Sequence, residues 1–524
     1  MKIWCTSTAH TVFRHTRMRG TDSALLALHT ARNATVGAQV AMRHCWHSFE
    51  IRGWDIAGLP EGVSVCSGVQ EYVDYNDGIP YPDRLTKNTH ISVPANATQG
   101  IVLQFRTVPE AATGSFCVTV TVHTHSSEEG EQELAACIVL QIHSPVLPEP
   151  KDSTLGHEYH FEPFISFSGE EQNPCTPFYA FEEQSEEWWA YMAECARYFR
   201  LLRINAMPVR SLELLQRGGS RQVEKNVWHL DFSFFDRYVE LFLTHGSFNR
   251  LAIMGFIQAV TGEYVWSLDE SGNKVQIPLF GERHEEATAW VNALLSGIIR
   301  HCTEKGWRDM LCFNLEDEPH TTEAWLWARE ICRSIDPEIP CLEPIDTVGI
   351  SRELGENCDI PIPRIEVYDH DVEYFDEWRQ KGNTMWCYSC CAPNDPEWMN
   401  KFVDWPTYHS RLLYWGCYSQ DIAGYLHWGF SRWIYGGEPG TQFKGDGFIV
   451  YPDVENNSLL LSNRGLATIE GVEEWELLTL LGQKYPEAAK ALARRIVRTF
   501  RDFIHDPAEL DAARAELLTL ADAL

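Results

Sequence analysis

The chain changes its hydrophobic rhythm twice. Up to about residue 147 apolar and polar positions alternate in short runs, as in "IVLQFRTV" (101–108), "SFCVTVTVHT" (115–124) and "AACIVLQIHS" (135–144). Alternation of period two with β-branched residues and polar turns between the runs predicts strands, and this segment reads as a β-sandwich over residues 1–147. "SPVLPEPKD" (144–152) is proline-rich and predicts a linker.

From about residue 153 to 445 apolar runs alternate with amphipathic helical patterns. Helix "SEEWWAYMAECARYF" precedes strand "LLRINAMPV", helix "FDRYVELFLTHG" precedes strand "RLAIMGFI", and helix "EEATAWVNALLSGIIRHCTEKG" precedes strand "DMLCFNLEDEP". Helix "TEAWLWAREICRSI" and strand "IPCLEPI" follow, then strand "PRIEVYD" and helix "VEYFDEWRQKG". Strand "TMWCYSCC", helix "WPTYHSRLLYWGCYSQD" and strand "IAGYLHWGF" close the series. Such repetition predicts a parallel sheet, and about eight units predict a (β/α)8 barrel. A glycine-rich stretch, "GGEPGTQFKGDGFIVYP", reads as loop. Residues 446–524 become helical and are expected to pack on the barrel or form a homo-oligomer contact.

Composition narrows the function. A length of 524 residues predicts two or three domains, and a hydrophobic fraction of 44% supplies a large core. The formal net charge of −31 would repel nucleic acid and an anionic membrane surface, so neither is expected as a partner. The 19 Trp and 19 Tyr suit stacking on sugar rings, although large barrels also bury many aromatics. The N-terminus lacks a signal-peptide pattern, and no run of 18 apolar residues exists to span a membrane. The 16 cysteines are scattered, several within apolar runs, which reads as reduced thiols in a cytoplasmic protein.

The chemistry concentrates in "LCFNLEDEPH" (311–320), where an apolar strand ends in Glu316, Asp317 and Glu318 before Pro319 and His320. Strand C-terminal ends face the active site in a barrel. Pro319 disfavours a helical Glu318, which predicts an extended backbone there. Neighbouring carboxylates raise one pKa, leaving one acid beside one anion, the equipment for cleaving a glycosidic bond. Adjacent residues reach opposite faces of a sugar poorly, so the pair suits a substrate that supplies its own 2-acetamido nucleophile. The structural alternative is a helix N-terminus with acids complementing its dipole. Period-two alternation puts Trp386, Tyr388 and Cys390 on one face of their strand, so either these or the intervening cysteines point inward. Trp386 and Tyr388 are candidate pocket residues, as are Trp428 and Trp433 at the end of the last strand. Cys387, Cys390 and Cys391 lack a second ligand pair at zinc-site spacing, so no metal is expected. Asp231 and Asp236 read as helix-capping residues. There is no phosphate-binding glycine loop, nucleophile elbow or HExxH motif, and no cofactor is expected.

Taken together, "YPDRL", "LEDEPH", "WCYSCCAPNDPEWMNKFVDWPTYHSRLLYWGCYSQDIAGYLHWGFSRW", "GDGFIVYP" and "GLATIEGVEEWELLTLL" resemble glycoside hydrolase family 123. The resemblance runs in order over nearly the whole chain. It implies a retaining exo-β-N-acetylgalactosaminidase using substrate-assisted catalysis, with Asp317 orienting and stabilising the acetamido group and Glu318 as general acid, then base. Tyr388, Trp386, Trp428, Trp433, Glu316 and His320 are the expected substrate contacts, and a small oligosaccharide or glycoconjugate is the expected substrate. The family pattern "RLEALRDGIEDYE" is replaced here by "NRGLATIEGVEEWE" (463–476), a departure outside the expected site. A related glycosidase of other sugar specificity and a catalytically silent carbohydrate-binding protein are the alternatives.

Overall fold

The computed structural model describes residues 1–161, 163, 178–255, 257, 263–433 and 443–524. The chain divides into two compact units: Met1–Glu149 with Asn394–Asp421 and Phe430–Leu524, and Pro150–Pro393 with Ile422–Gly429. The first division falls inside the proline-rich stretch expected to be a linker.

The first unit opens with ten strands: β1 (Lys2–Ser7), β2 (Leu25–Arg32), β3 (Thr35–Arg43), β4 (Phe49–Ala57), β5 (Val63–Asp74), β6 (Pro80–Leu85), β7 (Ile91–Val93), β8 (Thr98–Thr107), β9 (Gly114–Ser126) and β10 (Gly130–Val146). They form two five-stranded sheets, β1-β3-β8-β5-β6 and β2-β10-β9-β4-β7. Alternate residues of both sheets enter one core, among them Val36 and Val40 of β3, Ile101 and Leu103 of β8, Val118 and Val120 of β9, and Ile138 and Leu140 of β10. The alternation read in the sequence is that inward and outward pleat.

The helices of the same unit carry buried charge. Helix Asn463–Lys484 packs on helix His409–Ser419, which the sequence places in the barrel series, and on β3 and β6. Helix Pro507–Ala521 packs on β2 and β10. Within "IEGVEEW", Glu470, Glu473 and Glu474 are almost wholly buried. Glu473 accepts from the Thr35 N–H at 2.7 Å and Glu470 from the Gly37 N–H at 2.8 Å, so this helix satisfies donors of β3. Glu474 pairs with Arg411 and with Arg514 at 3.0 Å and accepts from Trp415 Nε1 at 2.7 Å. Pairing of this kind offsets the cost of burying ionised carboxylates. β23 (Val450–Asp453) and β24 (Ser458–Leu461) form a hairpin just ahead of helix Asn463–Lys484. The glycine-rich stretch expected to be a loop lies, up to residue 442, outside the described residues.

The second unit is α/β. Six strands, β11 (Gly156–Tyr159), β12 (Ala206–Arg210), β15 (Arg250–Met254), β18 (Leu311–Phe313), β21 (Cys387–Tyr388) and β22 (Gly424–His427), form one all-parallel sheet in the order β18-β15-β12-β11-β22-β21. β19 (Leu342–Ile345) pairs in parallel with β20 (Ile360–Pro363). Parallel bridges Phe313–Cys341 and Arg364–Tyr388 link that pair to β18 on one side and β21 on the other. Two antiparallel hairpins interrupt the series, β13–β14 (Arg221–Glu224, Val227–His229) and β16–β17 (Tyr264–Leu268, Lys274–Pro278).

One strand expectation is corrected. "PRIEVYD" was expected to be extended, whereas the strand is the preceding "IPIP" and Ile365–His370 is helical. Prolines at 361 and 363 argue against a strand in sequence terms, because they cannot donate to a ladder. A parallel strand bonded through its remaining groups tolerates them. Among the described residues, no helix is long and apolar enough to cross a membrane.

Candidate active site

The second unit carries its polar residues where its parallel strands end. His160 follows β11, Arg210 closes β12, Glu316 to Glu318 follow β18, Asp346 follows β19, Arg364 follows β20, Tyr388 closes β21 and Trp428 follows β22. Parallel strands bring these ends to one side, which is where ligands meet sheets of this class.

The carboxylates after β18 occupy three environments. Glu316 is buried, at 2% exposure, while Asp317 is exposed and Glu318 half-buried. Glu318 departs from expectation, since its φ is +51° and its backbone is left-handed rather than extended. Proline removes the right-handed helical option for the residue before it. The tight turn, rather than an extended exit, decides among the conformations left. A non-glycine residue in this region costs about 1–2 kcal/mol, and such strain gathers where side-chain direction matters.

Tyr388 meets that turn. Its hydroxyl donates to Glu318 Oε1. Burial pushes the phenol well above its usual range, the Glu318 carboxylate adds to this, and the phenol therefore stays a donor. Arg364 faces Tyr388 and pairs with Glu366. Trp386, Tyr388 and Cys390 all enter the interior cluster with Ala206, Ala252, Cys312, Leu342 and Leu426, so of the two alternations this is the one that faces inward. Trp428 is half-buried against the same cluster, and His320 is exposed.

The expectation that Trp386 lines a pocket is corrected. Its indole is 0% exposed. A Cβ on Gly156 would lie 1.9 Å from its Cζ2, and one on Gly424 would lie 2.3 Å from its Cγ. The ring therefore lies flat against the paired glycines of the neighbouring strands β11 and β22 and offers a ligand no face. Trp433 belongs to the other unit, where it is 6% exposed and its Nε1 donates to the Val450 carbonyl at 2.8 Å. Asp231 accepts from the Ser233 N–H at 2.8 Å at the start of helix Ser233–His245, whereas Asp236 pairs with Lys305 at 3.1 Å instead of capping.

Two further carboxylates stand around Asp317 that sequence reasoning missed. Glu158 on β11 and Glu343 on β19 are each fully buried. Burial pushes Glu158 up to about 8, opposed by the Arg250 guanidinium and reinforced by Asp317. Burial likewise pushes Glu316 up to about 8, with Asp317 adding to it, and pushes Glu343 well above the carboxylate range. Among the described residues, neither carboxyl oxygen of Glu158 or Glu316 has a hydrogen-bond partner. His160 lies 3.6 Å from Glu158, and burial holds its ring neutral, down to about 3. The exposed Asp317 thus sits among acids that keep their protons near neutral pH. In "GHEYH" and "CLEPI" each of these residues stands as a single carboxylate in a short strand, which by itself carries no signal of a site. Among the described residues no group of three His, Cys, Asp or Glu is arranged to hold a metal ion.

A family model described as the glycoside hydrolase 123 catalytic domain matches residues 220–481. A solved family 123 glycoside hydrolase from Clostridium perfringens, studied for glycolipid glycan hydrolysis, is similar over 100% of this chain and 97% of its own. Its TM-score is 0.75 at 12% identity, so the likeness is one of fold. The β-glucuronidase 2 of Bacteroides uniformis is similar over 86% of this chain and 48% of its own, at 9% identity and a TM-score of 0.31. A β-glucuronidase from an uncultured Clostridium species gives 76%, 82%, 7% and 0.29 for the same four quantities. No curated protein matches the sequence.

Proposed function

The chain belongs to glycoside hydrolase family 123, and from that membership we propose that it is a retaining exo-β-N-acetylgalactosaminidase whose nucleophile is the 2-acetamido group of its own substrate. The observation that carries this reading is the single turn after β18, which exposes Asp317 beside a Glu318 held by Tyr388.

The roles follow from the chemistry. The acetamido oxygen attacks C1 as the C1–O bond to the aglycone breaks, giving an oxazolinium ion. Asp317 faces the acetamido N–H and balances the positive charge that develops on that ring. Glu318 gives its proton to the departing oxygen, then takes one from the water that opens the oxazolinium at C1. Two displacements at C1 return the β-configuration. Side-by-side carboxylates suit this division of labour, because neither has to reach the far face of the sugar. Trp428 and His320 are the proposed substrate contacts beside Tyr388.

The scaffold reading is a (β/α)8 barrel. It is supported by the parallel pairings and bridges that join β11, β12, β15, β18, β19, β20, β21 and β22, each to its neighbour. Among the described residues every cysteine is free, which supports a reducing, cytoplasmic setting.

The deciding experiment compares aryl β-glycosides of GalNAc, GlcNAc and galactose and reads the first-formed anomer by NMR. Turnover of the GalNAc glycoside to a β-configured first product is expected, with negligible turnover of the 2-hydroxyl galactoside. An α-configured first product, or brisk hydrolysis of the galactoside, overturns the mechanism. Faster turnover of GlcNAc overturns the specificity alone.

A further inference from the structure

Glu343 has no place in the chemistry above, although it is fully buried and lies close behind the reacting pair. Trp325 Nε1 donates to its Oε2 at 2.6 Å and Asn314 Nδ2 to its Oε1 at 3.3 Å. The backbone N–H of Glu316 approaches Oε2 at 3.4 Å. The three donors come from the residue after β18, from the turn itself and from helix Thr322–Ile335, so one side chain on β19 gathers both flanks of the Asp317–Glu318 turn.

β18 is three residues long, and the chain leaves it through the left-handed Glu318. We propose that Glu343 is a positioning residue, a hydrogen-bonded node beneath the turn that sets where Asp317 and Glu318 point. Burial keeps its carboxyl protonated, with Asp317 and Glu316 reinforcing this and the Trp325 and Glu316 donors opposing it. Cys358 also faces it. A neutral carboxyl lets the node sit close to Asp317 without adding a second charge; with the Asn314 amide turned so that its Oδ1 accepts, glutamine keeps the same three contacts and is its nearest substitute. The inference rests on the assignment of Asp317 and Glu318 to the reaction.

The test compares Glu343→Ala, Glu343→Gln and Trp325→Phe on a GalNAc glycoside, with melting temperature and the Trp325 indole N–H resonance followed in parallel. A displacement of reacting groups by a fraction of a bond length costs on the order of 100-fold, so Glu343→Ala should lose about that in kcat while KM stays within a few-fold. Glu343→Gln should restore most of kcat, and Trp325→Phe should fall between, at roughly tenfold below wild type. Equal kcat in wild type and Glu343→Ala overturns the proposal, as does a loss that glutamine fails to rescue. If Glu343→Ala does not fold, Trp325→Phe decides: reduced kcat at unchanged melting temperature supports the node, and unchanged kcat sinks it. If the wild-type chain hydrolyses none of the glycosides, the functional reading fails separately. The crystal structure of Glu343→Gln against Glu343→Leu then decides, and an unmoved 314–318 turn in the leucine variant overturns the positioning role.

Discussion

The hydroxyl of Tyr388 donates to Oε1 of Glu318, a residue 70 positions earlier in the chain. A hydrogen bond to a carboxyl group is worth about 0.5–3 kcal/mol, and here its value lies in direction. Tyr388→Phe should therefore lower kcat by roughly 10–100-fold and leave the melting temperature within a few degrees. A kcat equal to wild type would show that Glu318 is oriented by something else.

Glu318→Gln should separate its acid role from mere binding. Protonation of the leaving oxygen matters most when that oxygen is basic. The variant should lose far more activity on a natural disaccharide than on a nitrophenyl glycoside. Equal losses on both substrates would remove Glu318 from the acid role.

Glu316 predicts a pH dependence of stability. Burial raises its carboxyl from 4.5 to about 8 in the folded chain, with Asp317 contributing. Between those values the folded state holds a proton that the unfolded state has released. Stability from this group is thus complete at acid pH and falls as pH rises toward 8, by up to about 1.4 kcal/mol per pH unit. Glu316→Gln should flatten the decline in denaturant midpoint from about pH 5 to about pH 8. An unchanged slope would mean that Glu316 is already ionised in the folded protein.

The packing of Trp386 predicts a steric effect. Gly424→Ala places a methyl group against the indole, where a Cβ would lie 2.3 Å from Cγ. Overpacking of this kind costs about 1–3 kcal/mol, read as a lower denaturation midpoint at constant m-value. Trp386→Phe in the same chain should recover part of the loss.

Removal of metal should leave activity intact, because Cys387 is wholly buried outside the interior cluster that Cys390 joins, so the two thiols do not share a face. Activity lost on chelation and restored by zinc would reverse that expectation.

Long, regular patterns were the most legible part of the fold. β8, β9 and β10 coincide with three alternating runs, and "SEEWWAYMAECARYF" coincides with helix Glu186–Leu201. Short strands were harder, because β20 is four residues with two prolines and has no pattern of its own. Asp317 and Glu318 were legible as charges left at the end of an apolar run, and Tyr388 as one member of an alternation. Glu158 and Glu343 were not, since each is one carboxylate in one strand and gains meaning only beside residues from others. The fate of Trp386 was equally hidden, being decided by Gly156 and Gly424, far apart in sequence but paired on adjacent strands. The left-handed Glu318 was misread because proline limits its predecessor without choosing among the conformations that remain.

The strained backbone at Glu318 has a consequence for the history of such chains. Holding a glutamate where glycine or asparagine would rest more easily opposes two selective pressures, one for the reaction and one for a durable fold. While the reaction is under selection, glutamate persists at a cost of about 1–2 kcal/mol. Once a lineage stops using the reaction, nothing restrains drift toward the relaxed residue. Descendants that keep the scaffold as silent sugar binders should therefore carry glycine or asparagine at this position, and substitution there should mark the branch points at which hydrolysis was abandoned.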